Sequence, residues 1–209
     1  MKTRGKPRAM GSHDDFAQFA GLLQGIAALP DSEIAWVRQH GRERGFAAAE
    51  ALIDVGARPS HFWFLAAGFV RFFYVTANGR EYNKAFARPG EIVAPLSAML
   101  SGAANGFVIA AITPVRVIAF PVSLLPELYE RHPGWERVGR VLAEQMAVRK
   151  ETRERELLLE TALVRFGRFA ERYPELVEWI PQRQIASYIG VTEQALSRLL
   201  RDWRASRQT

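Results

Sequence analysis

Ile180-Pro181-Gln182-Arg183-Gln184-Ile185-Ala186-Ser187-Tyr188-Ile189-Gly190-Val191-Thr192-Glu193-Gln194-Ala195-Leu196-Ser197-Arg198-Leu199-Leu200-Arg201 reads as two short helices joined by a tight turn. Ile185, Ala186 and Ile189 put an apolar stripe on the first helix, and Ala186 is small enough to let two helices cross closely. Gly190 stands where the chain needs a left-handed backbone, which glycine alone adopts without a steric cost. Val191 plugs the corner, Thr192 caps the next helix, and Leu196, Leu199 and Leu200 form its inward face. Gln194, Ser197, Arg198 and Arg201 are left outward. That spacing is a helix-turn-helix, in which the second helix lies in the major groove and offers such side chains to base edges and phosphates. Double-stranded DNA is the expected partner. The candidate contacts are Gln182, Arg183, Thr192, Gln194, Ser197, Arg198, Arg201 and Arg204. The bland alternative is a helical hairpin with a solvated polar face.

Charge supports the same reading. The chain has 209 residues and a formal charge of +6, unevenly spread. Lys2, Arg4, Lys6 and Arg8 crowd the start, and Arg183, Arg198, Arg201, Arg204 and Arg207 outnumber Glu193 and Asp202 near the end. The rest is close to neutral, so the basic excess sits where a polyanion would use it. There are no cysteines. Disulfides, thiolate zinc sites and cysteine-ligated iron-sulfur clusters are therefore excluded. No window approaches a membrane span, and the basic start lacks the apolar core of a signal peptide, so a cytoplasmic protein without membrane contact is expected.

Upstream of the helix pair the texture changes twice. Residues 14–28 read as a helix, with Phe16, Phe19, Leu22, Leu23 and Ile26 at helical spacing, and a second short helix follows over 33–40. Between about 46 and 121, short apolar runs at 51–55, 62–65, 68–76, 82–86, 91–94, 107–112 and 115–120 are separated by glycine, proline and asparagine. Asn78-Gly79 marks a hairpin turn. Seven short strands with frequent turns predict a sandwich or barrel. From Gly134 to about Tyr173 no proline interrupts a helical pattern. Val138, Val141, Leu142, Met146 and Val148 line one side, and Leu157, Leu158, Leu159, Leu163 and Phe166 follow. The charged run from Arg149 to Glu156 between them reads as a solvated face held by local ion pairs. So long an apolar stripe exceeds what a small barrel can cover, which predicts a homodimer whose seam includes Leu142 and Met146.

This order of elements resembles the cyclic-AMP receptor and fumarate-nitrate (Crp/Fnr) regulators of bacteria. The likeness rests on Gly56 through Gly68-Phe69-Val70-Arg71, on Asn78-Gly79-Arg80-Glu81, on Pro89-Gly90-Glu91 and above all on the helix-turn-helix itself. It implies an α+β protein: a basic tail over 1–13, and a cyclic-nucleotide-binding-like β jelly-roll barrel with flanking helices over 14–132. A long dimerisation helix over 133–166 and a helix-turn-helix domain over 167–209 complete it. It also implies a palindromic operator, RNA polymerase as a partner and a small-molecule effector. Family members that bind cyclic nucleotides hold the phosphate with a Gly-Glu pair and an Arg-Ser/Thr-Ala run. Threading from Gly90-Glu91 puts Ala94-Pro95 and Asn105-Gly106-Phe107 at those places, so carboxylate, guanidinium and hydroxyl are all missing. An unpaired buried phosphodiester costs several kcal/mol, so cyclic nucleotide sensing is not expected. Of the family's base-reading Arg, Glu and Arg, only Arg198 is retained, beside Glu193 and Gln194. Only Trp203 to Thr209 follow, where the family carries a β-hairpin wing.

Phe64, Phe72, Tyr82, Phe86 and Phe107, with Thr161, are candidates for an effector pocket, against the simpler reading that aromatics at alternate strand positions are core. His13, His40, His61 and His132 are too scattered for a metal site, and no cofactor is expected. No nucleophile elbow, P-loop or His-Glu-x-x-His motif is present, so there are no catalytic candidates and the protein is not expected to be an enzyme. The competing reading is a ligand-binding or protein-docking barrel whose terminal helices no longer engage DNA.

Overall fold

The computed structural model describes residues 14–205, with side chains up to Arg201; the basic tail over 1–13 and the side chain of Arg204 lie outside the described residues. In chain order the elements are α1 (Asp15–Ile26), α2 (Asp31–His40), β1 (Arg42–Phe46), β2 (Ala51–Ile53), β3 (His61–Ala67), β4 (Val70–Val75), β5 (Glu81–Ala87) and β6 (Ile92–Val93). There follow α3 (Leu96–Ser101), β7 (Val108–Ala111), β8 (Val115–Pro121), α4 (Leu124–Arg131), α5 (Pro133–Leu159), α6 (Ala162–Arg172), α7 (Pro174–Trp179), α8 (Gln182–Ile189) and α9 (Glu193–Ala205). None of the described helices is long and apolar enough to cross a membrane.

The strands form a sandwich and not the closed barrel also expected from the sequence. Two open antiparallel sheets run β1-β8-β3-β6 and β2-β7-β4-β5. β1, which the sequence reading missed, is an edge strand of mostly exposed residues; its Arg42-Glu43-Arg44 start gives no apolar alternation to detect and suits an unpaired edge. Along β3 the two faces are both buried. Trp63 and Leu65 turn into the sandwich with Val70, Phe107, Ile109 and Val117. Phe62 and Phe64 turn outward, onto a layer built from α1, α2, α4 and the first half of α5. Burial on both faces is why this stretch reads as a continuous apolar run. Gly68 closes the β3–β4 turn at φ +81°, and a Cβ there would lie 2.4 Å from the Pro114 carbonyl oxygen, so the approach of two turns requires glycine.

Two ion pairs tie the helices to this frame. Asp15 in α1 takes a bidentate pair from Arg116 in β8 at 2.8 and 2.9 Å. Glu33 in α2 accepts from Arg131 in α4 and from the indole N–H of Trp135 in α5, and these bonds hold its carboxyl below the usual range.

The single long helix expected from Gly134 to Tyr173 is two. α5 ends at Leu159, Glu160 is extended, and the Thr161 hydroxyl caps α6 by accepting from the Val164 N–H at 3.4 Å. Neither proline nor glycine marks the break. Arg165 stabilises it by donating to the last carbonyls of α5, at Leu157 and Glu160.

Candidate nucleic-acid interface

α8 and α9 meet at Gly190, whose φ of 75° and ψ of 37° are left-handed, and its N–H and that of Val191 both return to the Ala186 carbonyl. Thr192 caps α9, its hydroxyl accepting from the Ala195 N–H at 3.1 Å. Ile185, Ala186, Ile189, Leu196 and Leu200 are buried together, as the sequence pattern demands. Gln182, Arg183, Thr192, Gln194, Ser197, Arg198 and Arg201 are all exposed. Among the described residues, Arg183, Arg198 and Arg201 make no ion pair, and all three are exposed. An exposed guanidinium two turns into a helix can give a bidentate pair to guanine O6 and N7, and an amide one turn earlier can read adenine.

Sequence reasoning did not foresee what lies behind this unit. α8 is docked on β5 of the sandwich. The Asn83 N–H donates to the Ser187 hydroxyl at 2.9 Å, and the Asn83 side-chain amide donates to the Gln184 carbonyl at 3.0 Å. Tyr188 is buried against Phe86 and Phe169, and burial pushes its hydroxyl above the usual tyrosine range. The Tyr173 hydroxyl donates to the Phe86 carbonyl at 3.1 Å. Arg153 lies over the Tyr188 ring at 4.0 Å and pairs with Glu156 at 3.5 Å. Both are turned inward, so the charged run of α5 is not wholly the solvated face expected. Arg165 adds a bond of 2.7 Å to the Ile189 carbonyl, reaching from α6 to the turn. The one available signal was charge inside a helical run beside Leu157, too weak to separate these residues from their neighbours.

Residues 43–132 match the family model of the cyclic nucleotide-binding domain. No curated protein sequence matches the chain significantly. FixK2 from Bradyrhizobium japonicum superposes with a TM-score of 0.70 at 19% identity, over 79% of this chain and 85% of that one. The chain has the Crp/Fnr fold. CLP of Xanthomonas campestris, a global regulator responsive to c-di-GMP, gives a TM-score of 0.67 at 14% identity, over 85% and 93% of the two chains. The catabolite activator protein of Thermus thermophilus gives 0.53 at 20%, over 88% and 87%.

Within this Crp/Fnr fold the six effector candidates do not come together. Phe64 faces the layer under α1, Phe72 and Phe107 face the sandwich interior, and Phe86 packs against α6 and α8. Tyr82 is exposed, and Thr161 is the cap of α6. Asn105, threaded onto a phosphate-binding place, is buried; its amide nitrogen donates to the carbonyls of Asp54 and Phe107. Lys84 was not singled out from the sequence. It sits at the register shift of β5, with its ammonium 3.8 Å from the Phe107 ring centroid. The three described histidines have local structural partners: His40 bonds the Trp36 carbonyl, His61 the Ser60 hydroxyl, and His132 caps α5, while His13 lies outside the described residues.

Proposed function

We propose that this chain is a dimeric, sequence-specific DNA-binding transcription regulator whose effector domain has lost the cyclic-nucleotide phosphate site. The observation that carries the reading is the exposure of Gln194, Ser197, Arg198 and Arg201 on one face of α9, while Leu196 and Leu200 on the other face are buried. Buried leucines fix the roll of the helix, and a fixed roll turns a set of polar residues into a reading head. Arg183 at the start of α8 and Arg204 beyond the described side chains supply phosphate contacts. Residues 14–132 form the sensory part, 133–166 the dimerising segment and 167–209 the DNA-binding part. A two-fold protein reads a palindromic operator, and RNA polymerase is the protein partner this role implies.

Dimerisation is supported by apolar surface with no cover: Val148 is 62% exposed, Leu158 74% and Leu159 78%. Loss of the phosphate site is supported by what fills the sandwich. Trp63, Leu65, Phe107 and Ile109 pack between the sheets, and neither a carboxylate nor a guanidinium stands at residues 94–95 or 105–107. Cyclic AMP and cyclic GMP should give no heat of binding in calorimetry and no change in DNA affinity. Micromolar binding of either would return the phosphate site to the protein.

The DNA reading is tested by titrating the protein against duplexes across a salt series. Phosphate neutralisation makes log K fall linearly with log salt. A protein-docking domain without a DNA role would show neither affinity nor slope.

A further inference from the structure

We propose that the cavity between α5 and the outer face of the β1-β8-β3-β6 sheet is a binding site for a small amphiphilic monocarboxylate, its apolar body against the cavity walls and its carboxylate on Arg149. The cavity has a volume of about 210 Å³. A void of roughly 150 Å³ is enough for benzene, so this one takes a larger apolar group. It lies outside the sandwich, with Phe62 and Ile92 of the sheet as floor, Met99 of α3 and Leu128 of α4 as sides, and Leu142 and Met146 of α5 as roof. Two thioethers, Met99 and Met146, make it adaptable to shape. The core around it is otherwise close-packed, with Phe19, Leu23 and Trp135 buried beside it. Apolar walls that face water and not other side chains forgo burial and dispersion contacts, which an apolar guest would supply.

Charge at the mouth selects the head group. Arg149 reaches Glu91 at 3.3 Å, and both line the opening. Glu91 does not depend on that contact. It also accepts from the Arg88 N–H at 3.4 Å and lies 3.9 Å from the Arg88 guanidinium. Two arginines therefore share one carboxylate, Arg149 in the cavity lining and Arg88 just outside it. Arg149, half-exposed, can turn to a second carboxylate without leaving Glu91 unpaired. A neutral alkane would gain nothing from this end, and an amine would meet only a carboxylate already held by two arginines.

Decanoate, kept below its micelle concentration, is the probe, with decanol and decylamine as head-group controls. It is titrated calorimetrically into the full-length protein without DNA, so the outcome is independent of the regulatory role. Wild-type protein should bind one decanoate per chain saturably. Arg149→Gln should weaken decanoate about tenfold while leaving decanol unchanged. Ala143→Trp and Met99→Trp fill the cavity from two different helices, α5 and α3, and each should abolish binding of both probes while keeping the wild-type circular dichroism spectrum. If either variant fails to fold, the other carries the test. No saturable binding by wild-type protein, or binding that survives both fillings, overturns the site. Equal weakening of decanoate and decanol by Arg149→Gln overturns the assignment of the head group.

Discussion

Arg198 and Arg201 share a helix and a charge, yet they are expected to do different work. Arg198 lies on the exposed face of α9 nearly two turns in, one turn beyond Gln194. Arg198→Ala should cost roughly 1–3 kcal/mol at the cognate site and flatten preference at one base pair. Arg201→Ala should weaken specific and random duplexes alike and reduce the salt slope by about one. If the two variants behave identically across a salt series, α9 grips DNA without reading it. Lys84 is a residue of another kind. Burial, and then the Lys150 ammonium, pull its pKa down to about 8 from the ordinary 10.5. Between those values the unfolded chain holds a proton that the folded chain has shed, so this group makes stability rise with pH across that window. Lys84→Met keeps the apolar stem over Phe107 and removes the charge. Urea midpoints at pH 7.5 and 9.5 should show the wild-type rise diminished in the variant, and an unchanged rise would mean the ammonium is as solvated as any surface lysine.

At the scale of elements, α5 separates two roles that a single apolar stripe had merged. Val138 and Leu142 pack against the chain's own core, and Met146 lines the cavity beside them. Val141 and Val148, one heptad apart, lie further round the helix on a surface shared with Glu144, Gln145 and Arg149. Glutamate at Leu142 or Met146 would therefore damage the fold along with any seam. Val148→Glu is the cleaner test. Sedimentation at micromolar concentration should give about twice the chain mass for wild-type protein and a monomer for the variant, with unchanged far-UV circular dichroism. A wild-type monomer would remove the palindrome along with the dimer. The helix-turn-helix was fully legible because Gly190, Thr192 and the spaced leucines each name a local backbone state. The break at Glu160-Thr161 was not, because it is made by Arg165 reaching back to carbonyls, and nothing local announces it. α3 escaped for the opposite reason: six residues are too few for a period to show.

The whole molecule holds its least legible feature, the seating of α8 on β5. Asn83 and Ser187 lie 104 residues apart, and polar pairs leave no periodicity for a reader to follow. The same seam has a consequence for how the chain comes apart. The buried cluster around Ile185, Ile189 and Leu196 also takes in Phe69 and Phe86 from the sandwich. The helix pair thus shares its core with the sandwich. Heat should melt sandwich and helix pair in one calorimetric transition, with van't Hoff and measured enthalpies equal, where two separable peaks would show independent folding units. A terminal fragment cut after Glu160 should stay unfolded, its aromatic underside open to water. Simple fusion of that fragment to another protein would leave Phe169 and Tyr188 without the Phe86 ring they pack on, because part of its core belongs to the sandwich.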